Sequence, residues 1–202
     1  MSPHPDHIII GLDEVGRGPL AGPVVACALV LPADPALIPL GIADSKILSP
    51  AKRTRLAPLL RENCLHALGE ASVAEIDELN ILQATFLAMQ RAVSALSVSH
   101  HDCHILVDGP HVPPGLPFPS TAVVDGDAKV PAIAAASIIA KVFRDDLMQK
   151  LAAQHPGYGW ERNAGYGTRE HLEALAQHGV TPHHRTSFAP VARQLSRSTA
   201  EL

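Results

Sequence analysis

Three short apolar runs in this chain stop on carboxylates, and no other feature restricts the fold as much. HIIIGL at 7–12 runs into Asp13 and Glu14, HILV at 104–107 into Asp108, and TAVV at 121–124 into Asp125 and then Asp127. Short aliphatic, β-branched runs bounded by glycine-containing turns have the character of buried strands. Strand ends that carry acids can bring residues far apart in sequence to one edge of an open sheet. A single Asp-Gly after a strand marks only a turn; three such ends together point to a built acidic site.

The chain has 202 residues, 47% of them hydrophobic and only 3% aromatic. That length supports one substantial core, and the scarcity of aromatics means Ala, Val, Ile and Leu must fill it. Close-packed helices on a sheet suit such a core better than a large sandwich. The formal net charge of -4 argues against a protein that grips nucleic acid by a broad basic surface. Divalent ions held by several of the acids would reverse the local sign. Cys27, Cys64 and Cys103 are widely spaced, with no C-x-x-C, so neither a disulfide framework nor a zinc site is expected. A cytoplasmic protein without a membrane span fits these features best.

Further strands are expected at 23–31 and 65–73. Ser49 and Pro50 form an N-cap and first helical position for a helix to about Asn63. Residues 74–96 carry Ile76, Leu79, Leu82, Phe86, Met89, Val93 and Leu96 near 3.6 spacing, which predicts one long amphipathic helix. The Ala-rich run at 131–143 predicts a buried helix that becomes charged at Lys141, Arg144, Asp145 and Asp146. A helix is expected near 168–178, followed by a weakly ordered tail.

Carboxylates with no thiol or histidine framework suit hard cations such as Mg²⁺ or Mn²⁺, which commonly serve phosphoryl chemistry. Asp13 and Glu14 are adjacent, so they share a site only where the strand twists, bulges or ends. The turn at Gly16-Arg17-Gly18 has the pattern G-x-G-x-x-x-G and runs into Pro19 and Pro23, not a helix, which excludes a dinucleotide loop. His100, His101, Asp102, Cys103 and His104 match no tetrahedral zinc spacing and are read as a polar loop.

DEVGRGPLAGPV at 13–24, DSK at 44–46, VDG at 107–109, GDAKVPAIAAASIIAKVFRD at 126–145 and GYGT at 165–168 together resemble the ribonuclease HII family. The likeness extends over nearly the whole chain, and the first and fourth motifs are the most specific. It implies an α/β, RNase H-like fold: a central mixed five-stranded sheet flanked by helices at 1–150, with a small C-terminal helical segment at 151–202 that contributes to substrate binding. It also implies an endonuclease that hydrolyses the RNA strand of RNA·DNA hybrids and incises 5′ of ribonucleotides embedded in duplex DNA. Two Mn²⁺ or Mg²⁺ ions would be held by Asp13, Glu14, Asp108 and Asp127, with 5′-phosphate and 3′-hydroxyl products.

By the same resemblance Gly16, Arg17 and Gly18 sense the 2′-hydroxyl that separates RNA from DNA, and Tyr166 stacks on the sugar of the next nucleotide. Without the resemblance, the first would be a plain tight turn and Tyr166 a packing residue. Lys46, Lys141, Arg144 and Arg185 are candidate phosphate contacts. The chain departs from the family pattern at Asp125 and Ala164, where relatives often carry Lys; the roles of His183 and His184 stay open. The expected partners are RNA·DNA hybrid and ribonucleotide-containing duplex, with the protein a monomer. Two other readings are a junction-resolving nuclease of the same broad fold, separable by substrate choice, and a catalytically silent binding module, separable by metal-dependent cleavage.

Overall fold

A computed structural model describes residues 8–43, 45, 47–98 and 102–200, with the side chains of 198–200 excluded. Asp44, Lys46, His100 and His101 lie outside the described residues. The chain divides into two compact units. The first comprises Met1–Val15, Val25–Glu70 and Phe86–Val142; the second comprises Gly16–Val24, Ala71–Thr85 and Phe143–Leu202.

The first unit carries a five-stranded sheet formed by β1 (Ile8–Val15), β2 (Val24–Val30), β3 (Leu65–Ala71), β4 (Cys103–Asp108) and β5 (Ser120–Val123), in the order β3-β2-β1-β4-β5. β1 pairs antiparallel with β2 and parallel with β4, and β4 pairs parallel with β5, so the sheet is mixed as expected. The central position of β1 explains its uninterrupted apolar run, since both of its faces are covered.

Helix α1 (Pro50–Asn63) starts as the sequence predicts: Ser49 is the N-cap, its hydroxyl accepts from the Lys52 N–H at 3.3 Å, and Pro50 occupies the first turn. Its buried face, Leu56, Ala57 and Leu60, joins Cys27, Leu29, Ile138 and Ile139 in the core of this unit. Ile138 and Ile139 belong to α5 (Pro131–Gln154), which begins in the first unit and ends in the second. Where α5 crosses β1 the backbones come so close that a β-carbon on Gly11 would lie 2.2 Å from the Ala132 carbonyl carbon.

Two helices stand where the 3.6 spacing predicts one. α2 (Val73–Leu79) and α3 (Ile81–Ala95) are separated by Asn80 at φ 72°. Asn tolerates this left-handed conformation better than most residues. Its Oδ1 then accepts from the N–H groups of Leu82 and Gln83, ending one helix and starting the next. The apolar spacing from Ile76 through Leu82 to Met89 and Val93 continues across the break, which hid the boundary. The helix beginning at Pro131 also extends past 143 to Gln154, placing Asp145 within it and not at its end.

In the second unit α6 (Trp160–Asn163) and α7 (Arg169–His178) precede α8 (Ala189–Ala200). α8 replaces the expected weakly ordered tail; Val191, fully buried, gives it an anchor alongside Leu20, Met148, Trp160 and Leu175. α7 lies where a helix is expected, and Thr168 caps it, its hydroxyl accepting from the His171 N–H.

A hydrogen-bonded histidine pair organises this core. The Thr181 N–H donates to His184 Nδ1 at 3.0 Å, so neutral His184 carries its proton on Nε2. That Nε2–H donates to His171 Nε2 at 3.1 Å, which also accepts from Trp160 Nε1 at 3.0 Å. His171 is thereby protonated on Nδ1, which donates to the Tyr166 carbonyl at 2.9 Å. Both rings must stay neutral. Burial, then the proximity of His171, pushes His184 down to about 3, and burial also lowers His171. A histidine depressed in the folded state binds its proton more readily when unfolded, so its stabilising contribution is complete above the ordinary histidine value and is lost as pH falls toward about 3. Going from pH 7 to pH 5 is expected to remove about 2 kcal/mol through His184. Urea unfolding at the two pH values checks this: a His184→Gln variant should lose much less than wild type, and an identical loss in both would contradict the assignment.

Candidate active site

The register of the sheet builds the acidic site. Leu12 of β1 pairs with Val107 of β4 in parallel, so Asp13 and Asp108, one residue further along each strand, emerge side by side on the same face. Asp127 arrives differently from the sequence expectation: it sits not at a strand end but in the first turn of α4 (Gly126–Lys129), after β5. This turn is tied to the sheet through Asp108, whose Oδ1 accepts from the Gly126 N–H at 2.7 Å and the Asp127 N–H at 3.3 Å. One oxygen from each of Asp13, Asp108 and Asp127 lies within 4.8 Å of the others. Asp13 and Asp127 are buried and Asp108 is half-buried.

Glu14 does not join this group. It pairs with Ala26 near the end of β1, and its carboxylate is not among the three whose oxygens converge. Its charge is nevertheless close enough to matter. Burial above all, then the charges of Glu14 and Asp108, push the Asp13 carboxyl well above its usual range; the Glu14 N–H, donating to Asp13 Oδ1 at 2.7 Å, pulls the other way, and Asp127 adds a smaller push upward. A buried cluster of like charges is costly in this form, and a divalent cation among the three carboxylates would remove the cost. Their all-oxygen donor set fits Mg²⁺ or Mn²⁺.

The Gly16-Arg17-Gly18 turn and Tyr166 both belong to the second unit. Gly16 has φ +96°, a conformation that favours glycine. A β-carbon on Gly18 would lie 3.3 Å from Tyr166 Cε1, so the ring abuts the turn, and Tyr166 is otherwise 45% exposed. Asn163 shapes the Tyr166 segment: its Oδ1 accepts from the Gly165 N–H at 2.9 Å, and its Nδ2 donates to the Tyr158 carbonyl at 2.8 Å. Lys46, the remaining substrate candidate, lies outside the described residues.

Arg144 and Arg185 are not the phosphate contacts that the sequence led us to expect. Both are fully buried. Arg144 donates to the carbonyls of Ala21, Pro23 and Ala164, at 3.0, 3.1 and 3.0 Å. Arg185 donates to those of Gly16, Arg17 and Gly22, at 2.6, 2.9 and 2.7 Å. Two guanidinium groups thus hold the 16–23 loop by its main chain. Burial lowers them to about 10 and about 9, values at which both remain charged at neutral pH. His184 is likewise structural, as the network above shows. Sequence reasoning missed Asn163 and Asp77 altogether.

Asp125 sits at φ 54° just before α4, exposed, with a carboxylate oxygen 3.9 Å from Lys129 Nζ. An added positive charge here is expected to strengthen substrate binding: Asp125→Lys should lower KM about threefold at low salt and less at high salt, with kcat little changed. Steady-state cleavage at two salt concentrations measures this, and unaltered constants at both would refute it.

A mixed five-stranded sheet flanked by helices, with carboxylates gathered from two adjacent strands and a helical turn, defines an RNase H-like fold with an acidic active site. Comparison with known proteins narrows this further. The family model described as Ribonuclease HII matches residues 10–191. A Ribonuclease HII from Rhodospirillum rubrum is 60% identical over 195 residues, covering 94% of this chain and 88% of that protein. The crystal structure of the ribonuclease H2 from Pyrococcus horikoshii superposes with a TM-score of 0.76 at 29% identity, covering 94% of this chain and 97% of the other. The crystal structure of Bst-RNase HIII in complex with Mn²⁺ shares the fold, with a TM-score of 0.74 at 21% identity, covering 96% and 70%. The chain belongs to the ribonuclease HII family, and it is an endonuclease of the ribonuclease H class.

Proposed function

We propose that the protein incises the RNA strand of RNA·DNA hybrids and cuts on the 5′ side of single ribonucleotides embedded in duplex DNA, leaving 3′-hydroxyl and 5′-phosphate ends. The observation that carries this reading is the convergence of Asp13, Asp108 and Asp127 oxygens within 4.8 Å. These three residues would hold two divalent ions, Mn²⁺ or Mg²⁺, with Glu14 completing the ligand set from the rim. The Mn²⁺ named with the Bst-RNase HIII structure supports this choice of metal. Bound ions of this kind neutralise charge on the phosphate and the departing oxygen and acidify the attacking water. The protein's own part is to aim hard oxygen donors at one point and to keep Asp13 buried, where its interaction with a cation is weakly screened.

Ribonucleotide selection falls to the second unit. The Gly16-Arg17-Gly18 turn would read the 2′-hydroxyl through its backbone, and Tyr166, whose ring abuts Gly18, would stack on the following sugar. Lys46 would contact a phosphate. Segment 151–202 contributes to substrate binding by carrying Tyr166 and the arginine that supports the turn. No helix among the described residues is long and apolar enough to cross a membrane, and we place the protein in the cytoplasm as a monomer.

The test is the position of the cut in an end-labelled DNA duplex bearing one ribonucleotide. Incision 5′ of the ribonucleotide supports the reading as a whole. Cleavage confined to long hybrids would keep the acidic site and discard the roles given to the turn and Tyr166.

A further inference from the structure

Asp77, on α2, belongs to none of the motifs that define the active site, yet its carboxylate accepts four hydrogen bonds from two consecutive residues. Its Oδ2 accepts from the Thr186 N–H at 2.8 Å and the Thr186 hydroxyl at 2.7 Å. Its Oδ1 accepts from the Ser187 N–H at 2.9 Å and the Ser187 hydroxyl at 2.6 Å. A charged acceptor with four donors from two consecutive residues fixes their backbone, and such bonds are stronger than neutral ones. Burial raises the Asp77 carboxyl, but the Ser187 and Thr186 bonds outweigh it and hold the group below its usual range.

The residue before this clamped pair is Arg185. Its Nη2 donates to the Gly16 carbonyl and its Nη1 to the Arg17 carbonyl. In a planar trans peptide, C=O and the next N–H point in opposite directions. Carbonyls 16 and 17 face Arg185, so the N–H groups of Arg17 and Gly18 are directed away from it. The presentation of the turn's amides therefore depends on where Arg185 stands, and the main chain that carries Arg185 is seated by Asp77.

We propose that Asp77 is a positioning residue for ribonucleotide recognition, acting through Arg185 on the Gly16-Arg17-Gly18 turn. This rests on the reading of that turn as the element that senses the 2′-hydroxyl. A carboxylate that only staples a loop would alter stability without altering the distinction between ribose and deoxyribose.

The experiment measures the affinity of the full chain, in EDTA to prevent cutting, for two DNA duplexes of one sequence, with and without a single ribonucleotide. The wild type should prefer the ribonucleotide duplex. Asp77→Ala should reduce that preference about fivefold at a temperature well below its melting point, while affinity for the all-deoxy duplex changes less than about twofold, and Asp77→Asn should fall between. In an Arg185→Lys background the Asp77→Ala change should add nothing, because both act on one element. An undiminished preference in folded Asp77→Ala overturns the proposal, as does full additivity with Arg185→Lys. If Gly18→Ala abolishes the preference while Asp77→Ala leaves it intact, the turn still reads ribose and only the role of Asp77 is lost. A wild type without preference overturns both.

Discussion

Asp13→Asn is expected to reduce kcat by at least about 10³-fold, corresponding to about 4 kcal/mol of transition-state stabilisation, while making the cation-free protein more stable. The two effects have one origin. Burial and the charges of Glu14 and Asp108 raise the Asp13 carboxyl. An acid raised in the folded state holds its proton more tightly there than in the unfolded chain, so its stability contribution is present at low pH and is lost as pH rises through the folded value. At neutral pH the charged cluster is a net cost, which an isosteric neutral amide removes. The variant should melt several degrees higher than wild type in EDTA. Mn²⁺ should then raise the melting temperature of wild type more than that of the variant, since a ligand stabilises the state that binds it. A variant that is inactive and also less stable in EDTA would mean that Asp13 serves a packing role instead.

Gly11→Ala is expected to have the largest effect on stability. Its β-carbon would sit 2.2 Å from the Ala132 carbonyl carbon and 2.4 Å from the Ala132 oxygen, both main-chain atoms at the start of α5. Neither can move without shifting the helix or the central strand, so the loss should be about 3 kcal/mol or more. The strand in question carries Asp13 two residues on, so whatever folded population remains should also have reduced activity. Urea denaturation of the purified variant measures the first effect, and a loss below about 1 kcal/mol would show that the two backbones can separate.

Much of the molecule was legible because its signals are local. Ser49-Pro50 and Thr168 are helix starts in themselves, and the apolar runs before Asp13 and Asp108 show both a strand and where its acid falls. The resemblance to the family added the pairing of these acids with Asp127, whose actual support, a short helical turn bonded to Asp108, has no distinct sequence pattern. Asn80 escaped notice because good helix formers lie on either side and the apolar spacing is continuous across it. Arg144 and Arg185 misled for a physical reason: cations are nearly always solvated, and these two are buried only because loop carbonyls accept their protons from far away in sequence. Asp77 could not have been found at all, since its partners are 109 and 110 residues away and a lone acid on a helix is ordinarily surface.

The acidic site is tested most directly by cleavage of a labelled RNA·DNA hybrid in Mn²⁺, in Mg²⁺ and in EDTA, with wild type and Asp13→Asn side by side. The structure predicts cutting by wild type in at least one of the two cations, none in EDTA, and a loss of at least about 10³-fold in the variant. Undiminished cutting in EDTA, or by Asp13→Asn, would contradict a metal-dependent site built on Asp13, Asp108 and Asp127.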